Sequence, residues 1–210
     1  MIRLLIADDH AVVRQGLLQI LALNEDIRVV GEVADGWQVI DWLRTADCDL
    51  LLTDMSMPGP NGIALVKRVK EEHPGLPVLV LTIHGESQIA ARVLKAGAGG
   101  YVTKDSEPAI LLAAVRQVAS GGHFVSSDLA QRLVFETGLA GDVPPCERLS
   151  DREYDIFLRI VQGKRLSEIA EALHVSPKTV STHKMRLMQK LDVKSNTELM
   201  RYAIQHGLMS

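Results

Sequence analysis

Residues 50–62 read LLLTDMSMPGPNG, and this stretch decides the fold. An apolar run ends at one carboxylate, Asp54, and breaks at once into Pro58, Gly59, Pro60, Asn61 and Gly62. A short apolar run closed by turn-forming residues is the pattern of a strand buried on both faces of a parallel sheet. Asp54 then falls at the carboxyl end of that strand, the edge at which open α/β sheets bind ligands. For one aspartate alone a turn-forming role is the simpler account. What the other strand ends carry decides between the two.

Working outward from this stretch, strand-like and helix-like segments alternate. Ile2–Ala7 is an apolar run, and His10–Leu23 carries Val13, Leu17, Ile20 and Leu21 at helical spacing. Ile27–Ala34 reads as a strand, followed by an amphipathic helix marked by Trp37, Ile40 and Leu43. Beyond the opening stretch, Ile63–Glu72 reads as a helix stopped by Pro74, and Pro77–Thr82 as a strand. A helix from about Glu86 to Lys95, a glycine-rich break at 97–100, a strand ending at Thr103 and a helix from Pro108 to about Ala119 complete the series. Five β/α units predict a parallel sheet covered on both faces.

The strand ends share a chemistry. The first ends at Asp8 and Asp9, the third at Asp54, the fourth at Thr82 and the fifth at Lys104. Taken singly, Asp8–Asp9 reads as a helix start, Thr82 as a β-branched strand residue and Lys104 as a surface lysine. Together they place three carboxylates, a hydroxyl and an ammonium on one sheet edge. Three close carboxylates repel and raise one another's pKa unless a cation joins them. Hard oxygen ligands with waters left in place suit Mg²⁺, which would leave Asp54 as a nucleophile toward a phosphoryl group. Lys104 and the Thr82 hydroxyl can each meet a phosphoryl oxygen.

IADDH, LLLTDMSMPGPNG, VLTIH and GYVTKD, at these intervals, make residues 1–120 resemble the receiver domain of bacterial two-component response regulators. The resemblance implies a CheY-like, doubly wound five-stranded parallel sheet of order 2-1-3-4-5. It makes Asp54 the residue phosphorylated by a sensor histidine kinase. Asp9 would bind Mg²⁺ directly, Asp8 mainly through water, and the backbone carbonyl of Ser56 would add a ligand. Thr82 and Tyr101 would form a switch in which the ring turns inward behind the hydroxyl, while Lys104 holds a phosphoryl oxygen. Ser56 and His84 would tune the lifetime of the acyl phosphate. Haloacid-dehalogenase-type phosphatases also use a strand-end aspartate, but need a second aspartate two residues later as general acid. Here that residue is Ser56, so the expectation is a phosphoacceptor with at most slow autodephosphorylation, not an enzyme that turns over outside substrates.

Composition sets the wider bounds. A 47% hydrophobic and 23% charged chain of 210 residues reads as one or two ordinary soluble domains. No apolar run approaches the ~20 residues of a membrane helix. The short run at the N-terminus, closed by Asp8 and Asp9, does not read as a secretion signal, and with two cysteines a disulfide framework is not expected. Cytoplasm is the expected compartment, without a membrane partner. The net charge of −3 hides a split: residues 1–145 carry 12 Lys and Arg against 18 Asp and Glu, and residues 146–210 carry 11 against 8. The basic half points to a polyanionic partner.

Residues 121–147 read as a linker. Ser127–Asp128 looks like a helix cap ahead of Leu129, Leu133 and Val134, and GLAGDVPPCE at 138–147 as flexible chain. Residues 148–210 then read as four helices. Ser150 and Glu153 form a capping box, with Ile156, Ile160 and Val161 as the apolar stripe and Gly163 as the stop. A short helix at Ser167–Leu173 is followed by a turn, His174–Ser176, and by a longer helix starting at Pro177. A final helix covers about Asn196–His206. Short helix, tight turn and longer helix is the form of a helix-turn-helix. On the longer helix Val180, Leu187 and Leu191 share an inward face, and residues 177–190 hold four basic residues and no acidic one.

LSDRE, EIAEALHVSPKTVSTH and QKLDVKS make this region resemble the LuxR-type DNA-binding domain of NarL/FixJ response regulators. The resemblance implies a small all-α domain whose third helix enters the major groove of double-stranded DNA and whose fourth is available for a homodimer. Base contacts would come from Ser181, Thr182 and Met185. Lys164, Lys178, Thr179, Lys184, Arg186 and Lys190 would mostly hold phosphates, which position the protein without specifying sequence. The chain departs from the family at Ser181, where many members carry lysine, and at Leu166-Ser167, where many carry Asn-Lys. The expected function is a phosphorylation-switched transcription regulator. A module that works through protein contacts alone, its basic helix incidental, is the rival, and salt dependence of DNA affinity separates the two.

Overall fold

The structure, a computed structural model, describes residues 1–83, 87–127, 129–131, 149–206 and 208. The chain divides into two compact units, Met1–Phe135 and Glu136–Ser210.

In the first unit, strands β1 (Ile2–Ala7), β2 (Ile27–Val33), β3 (Leu50–Asp54), β4 (Val78–Thr82) and β5 (Gly100–Thr103) alternate with helices α1 (Ala11–Ala22), α2 (Gly36–Thr45), α3 (Gly62–Glu72), α4 (Ser87–Lys95) and α5 (Pro108–Ala119). Every pairing in the sheet is parallel. All five residues of β3 and of β4 are buried, as expected for central strands with helices on both faces. Alternation along the strands sorts the core into two layers. Leu4, Ile6, Leu50, Leu52, Leu79 and Leu81 join Leu17 and Leu21 of α1 and Leu111, Val115 and Val118 of α5 in one cluster. Arg116 clamps α5 to the chain before β2, its guanidinium 2.7 and 2.9 Å from the two Asp26 oxygens and 3.0 Å from Asn24 Oδ1.

The sheet departs from the expected five strands. Phe124–Val125 forms a sixth, β6, parallel to β5, and the order is 2-1-3-4-5-6. Two residues are too few to show a period of two, so the segment reads as linker until its pairing is seen. The helical turn that follows is capped by Ser126 instead of Ser127: Ser126 Oγ accepts from the Leu129 amide at 3.4 Å, and its carbonyl from the Ala130 amide at 2.9 Å. Leu129 is buried there. Asp128, Leu133, Val134 and the 138–147 stretch lie outside the described residues.

The second unit holds α6 (Asp151–Val161), α7 (Leu166–Ala172), α8 (Pro177–Lys190) and α9 (Asn196–Gln205). The capping box at Ser150 and Glu153 is formed in both directions, which satisfies two amides that a helix start otherwise leaves open. Tyr154, Ile156, Phe157, Ile169, Val180, Leu187, Leu191 and Leu199 make the core, with the Phe157 and Tyr202 rings edge to face at 80°. Between α7 and α8 the chain reverses through His174, whose φ of 51° places it in the left-handed region, and the Val175 amide closes onto the Ala170 carbonyl at 2.9 Å. Ser176 then caps α8 through the Thr179 amide at 3.1 Å, with Pro177 in its first turn.

Candidate functional site

The carboxyl edge of the first unit's sheet gathers the polar strand ends. Asp54 ends β3 and Thr82 ends β4, both buried, and Asp8 follows β1 with 1% exposure. The backbone tightens the edge, since the Lys104 amide donates to the Thr82 carbonyl at 2.6 Å. Lys104 Nζ stands 2.7 Å from Asp8 Oδ2 and 3.0 Å from Asp54 Oδ2. The buried Asp8 Oδ2 is thus held by a cation already, the Lys104 ammonium. Burial pushes the Asp54 carboxyl above its ordinary range; the Lys104 ammonium opposes this, and nearby Asp8 adds to it.

The loop after β3 is held from several sides. The Thr53 hydroxyl donates to the Asp54 carbonyl at 3.1 Å, and Asn61 Nδ2 to the Met57 carbonyl at 2.7 Å. Gly59 turns at φ +77°, and a Cβ on it would lie 2.7 Å from the Trp37 ring. The start of α2 leans on the same loop: a Cβ on Gly36 would meet the Pro60 carbonyl oxygen at 1.6 Å, so only glycine fits. Met55 and Met57 are buried, whereas Ser56 between them is exposed.

Asp9 is partly exposed at the rim, and His10 joins it. Nδ1 of His10 lies 2.8 Å from Asp9 Oδ1 and 3.5 Å from Asp8 Oδ1. Among the described residues, Asp8, Asp9, His10 and Asp54 form a group whose donor atoms all lie within 4.8 Å of one another. That spread, in a set of mostly carboxylate donors, fits a divalent ion. His10 is a member that strand-end reasoning misses, because it sits one residue into the loop; its adjacency to Asp9 was the available signal.

Tyr101 is buried, with 1% exposure. It pairs with Val80 on one side and Val125 of β6 on the other. Together with Val102, Ile110, Phe124 and Leu129 it lines a small cavity of about 20 Å³. His84 lies outside the described residues.

In the second unit α8 presents Lys178, Ser181, Met185 and Arg186 to solvent, with Met185 57% exposed. Lys164 is also exposed, just past the end of α6, and Thr182 and Lys184 are half-buried. Two of the sequence-predicted contact residues have local employment: Thr179 Oγ1 is 2.8 Å from Ser176 Oγ, and Thr182 Oγ1 donates to the Lys178 carbonyl at 3.0 Å. Lys190 is tied more firmly, its Nζ 2.6 Å from Oε2 of the buried Glu153. Burial pushes the Glu153 carboxyl up, but Lys190 and the Ser150 amide and hydroxyl outweigh it and hold the group below the ordinary range.

A doubly wound parallel sheet with buried aspartates and a lysine at its carboxyl edge, joined to a helix-turn-helix unit, defines the response regulators of two-component systems. This chain belongs to that family: residues 4–116 match the response regulator receiver domain, and residues 147–203 match the bacterial regulatory proteins of the luxR family. It is 38% identical over 209 residues to the response regulator UvrY of Escherichia coli (strain K12), covering 99% of this chain and 96% of UvrY. It is 35% identical to the response regulator GacA of Pseudomonas protegens, over 100% and 98% of the two chains. Among solved structures it resembles RcsB from Salmonella enterica serovar Typhimurium, bound to promoter P1flhDC in the presence of the phosphomimetic BeF3-. That match has a TM-score of 0.73 at 32% identity and covers 96% of this chain and 97% of RcsB.

Proposed function

We propose that this response regulator is a DNA-binding transcription factor switched by phosphoryl transfer to Asp54. One observation carries the reading: Lys104 Nζ reaches both Asp8 and Asp54 in a single buried pocket. An Asp54 carboxylate oxygen attacks the phosphorus of a phosphohistidine on a sensor kinase; the P–N bond breaks, its electron pair stays on the imidazole, and an acyl phosphate forms. Asp8, Asp9, Asp54 and the Ser56 carbonyl would hold Mg²⁺, which supplies charge neutralisation for the phosphoryl oxygens. Lys104 then exchanges its hold on Asp54 for a phosphoryl oxygen, and the Thr82 hydroxyl donates to another. Such a site works by positioning and electrostatics. Ser56, where a dehalogenase-type phosphatase has its general acid, cannot protonate a leaving group, so the pocket accepts one phosphoryl group and loses it slowly to water.

Movement of Thr82 at the end of β4 is felt by Tyr101 on the adjoining strand, and the change favours a homodimer on two half-sites about one helical turn apart. Ser181, Thr182 and Met185 face base edges, while Lys164, Lys178, Thr179, Lys184 and Arg186 hold phosphates. Lys190 supports the domain through Glu153 more than it holds DNA. The relative RcsB, solved on a promoter with a phosphomimetic, supports both halves of this reading. Among the described residues no helix is long and apolar enough to cross a membrane, in keeping with action in the cytoplasm.

Gel shifts against a selected operator, with and without a phosphoryl donor and Mg²⁺, test it. Tighter binding with the donor, lost in Asp54→Asn, is the expected result. Equal affinity in both states defeats the switch, and affinity insensitive to salt defeats DNA binding through phosphates.

A further inference from the structure

We propose that Met185 is a specificity-determining residue that reads the 5-methyl group of thymine in the major groove, with Thr182 beside it. The inference rests on reading α8 as the DNA-binding helix, and it names the base that the centre of that helix takes. Its own evidence is what α8 offers on its outer face. Val180, Leu187 and Leu191 are buried and fix the inner face. At about 100° per residue, Thr182 and Met185 both lie within about 40° of the direction opposite Val180. Met185 is 57% exposed there, a large apolar side chain held in water, while the other exposed positions from Lys178 to Lys190 are polar or charged.

Hydrogen-bonding capacity narrows what this point of the helix can meet. The Thr182 hydroxyl donates to the Lys178 carbonyl at 3.0 Å, so its proton is used within the helix, and its methyl group and lone pairs remain. Met185 has no donor and only a weakly accepting sulfur. A guanine edge calls for donors to N7 and O6, an adenine edge for a donor and an acceptor together, and a cytosine edge for an acceptor to its amino group. Set against any of these, Met185 would strip water from polar base atoms and return no hydrogen bond. Thymine alone presents an apolar group in the major groove, and a flexible, polarisable thioether packs well against a methyl. Lys178 and Arg186, both exposed on α8, supply charge for the neighbouring phosphates. Met185 thus selects by attraction to thymine and by exclusion of the other bases.

The test uses the full-length protein, phosphorylated by a small phosphodonor with Mg²⁺, and an operator selected with it from random duplexes. Each thymidine of the operator is replaced in turn by deoxyuridine, which removes the methyl and nothing else, and affinity is read by fluorescence anisotropy. The expected result is one thymine position, the same in both half-sites, at which uracil weakens binding about fourfold for each half-site changed, the worth of one buried methyl. In Met185→Ala, thymine and uracil at that position should bind alike. In Met185→Leu, which keeps an apolar tip, the preference for thymine should persist. Because Met185 is exposed, both variants should melt with the parent, which thermal denaturation checks. A uracil penalty equal in the parent and in Met185→Ala, or no position at which uracil weakens binding, overturns the inference and leaves the proposed function standing. An operator with no thymine common to its half-sites does the same. Absence of sequence-selective binding by the phosphorylated parent overturns both.

Discussion

Asp54 is asked to be both buried and ionised, and Lys104 makes that tolerable. Its carboxyl is raised by burial, so ionising it costs more in the folded protein than in the unfolded chain. The stability tied to this group is present at low pH and is lost as pH rises through the raised pKa. Asp54→Asn, which keeps the shape and removes the charge, is expected to abolish phosphoryl acceptance from a small phosphodonor. In metal-free buffer at neutral pH it should melt above the parent, read by thermal denaturation. Lys104→Ala acts in the opposite sense. It leaves two buried carboxylates facing each other without their cation, a loss of about 3 kcal/mol by urea unfolding without metal. Saturating Mg²⁺ should restore part of that loss. Both residues could be picked out from their positions at strand ends. His10, one residue past the acidic pair, is not a strand end, and its adjacency to Asp9 is its signal in the sequence.

Elements differ in how far their sequence announces them. The buried strands β3 and β4 and the capped helices α6 and α8 are local patterns, and they fold where those patterns lie. β6 has no such signature and exists because the free edge of β5 accepts it. Its consequence is large for its size, since it places Phe124 and Leu129 beside the Tyr101 ring. Leu129→Ala should cost about 2–3 kcal/mol of the first unit's stability. It should also raise the solvent accessibility of Tyr101, measured by NMR or tyrosine modification, without touching the carboxylates. On α8 the ion pair to Glu153 separates two kinds of lysine. Lys190→Ala should destabilise the second unit by about 1–2 kcal/mol at neutral pH. Because the Glu153 carboxyl is held below its ordinary range, that difference should vanish as pH falls through its folded-state pKa.

At the scale of the molecule, charge is partitioned: an acidic unit to receive a phosphoryl group and a basic one to meet DNA. Lys178→Ala should leave stability unchanged and flatten the dependence of DNA affinity on salt by about one unit of slope per bound copy, in gel shifts across a salt series. The alternation of strands and helices, the polar strand ends and the helix-turn-helix with its caps are all set by short-range patterns, so the sequence alone determined the α/β class, the two units and most of the candidate pocket. Two features needed the tertiary structure: the sixth strand, and the ion pair that ties the exposed Lys190 to the buried Glu153. Each depends on which distant atoms come within about 3 Å, and a period of 2.0 or 3.6 residues carries no information about partners 24 or 37 positions away.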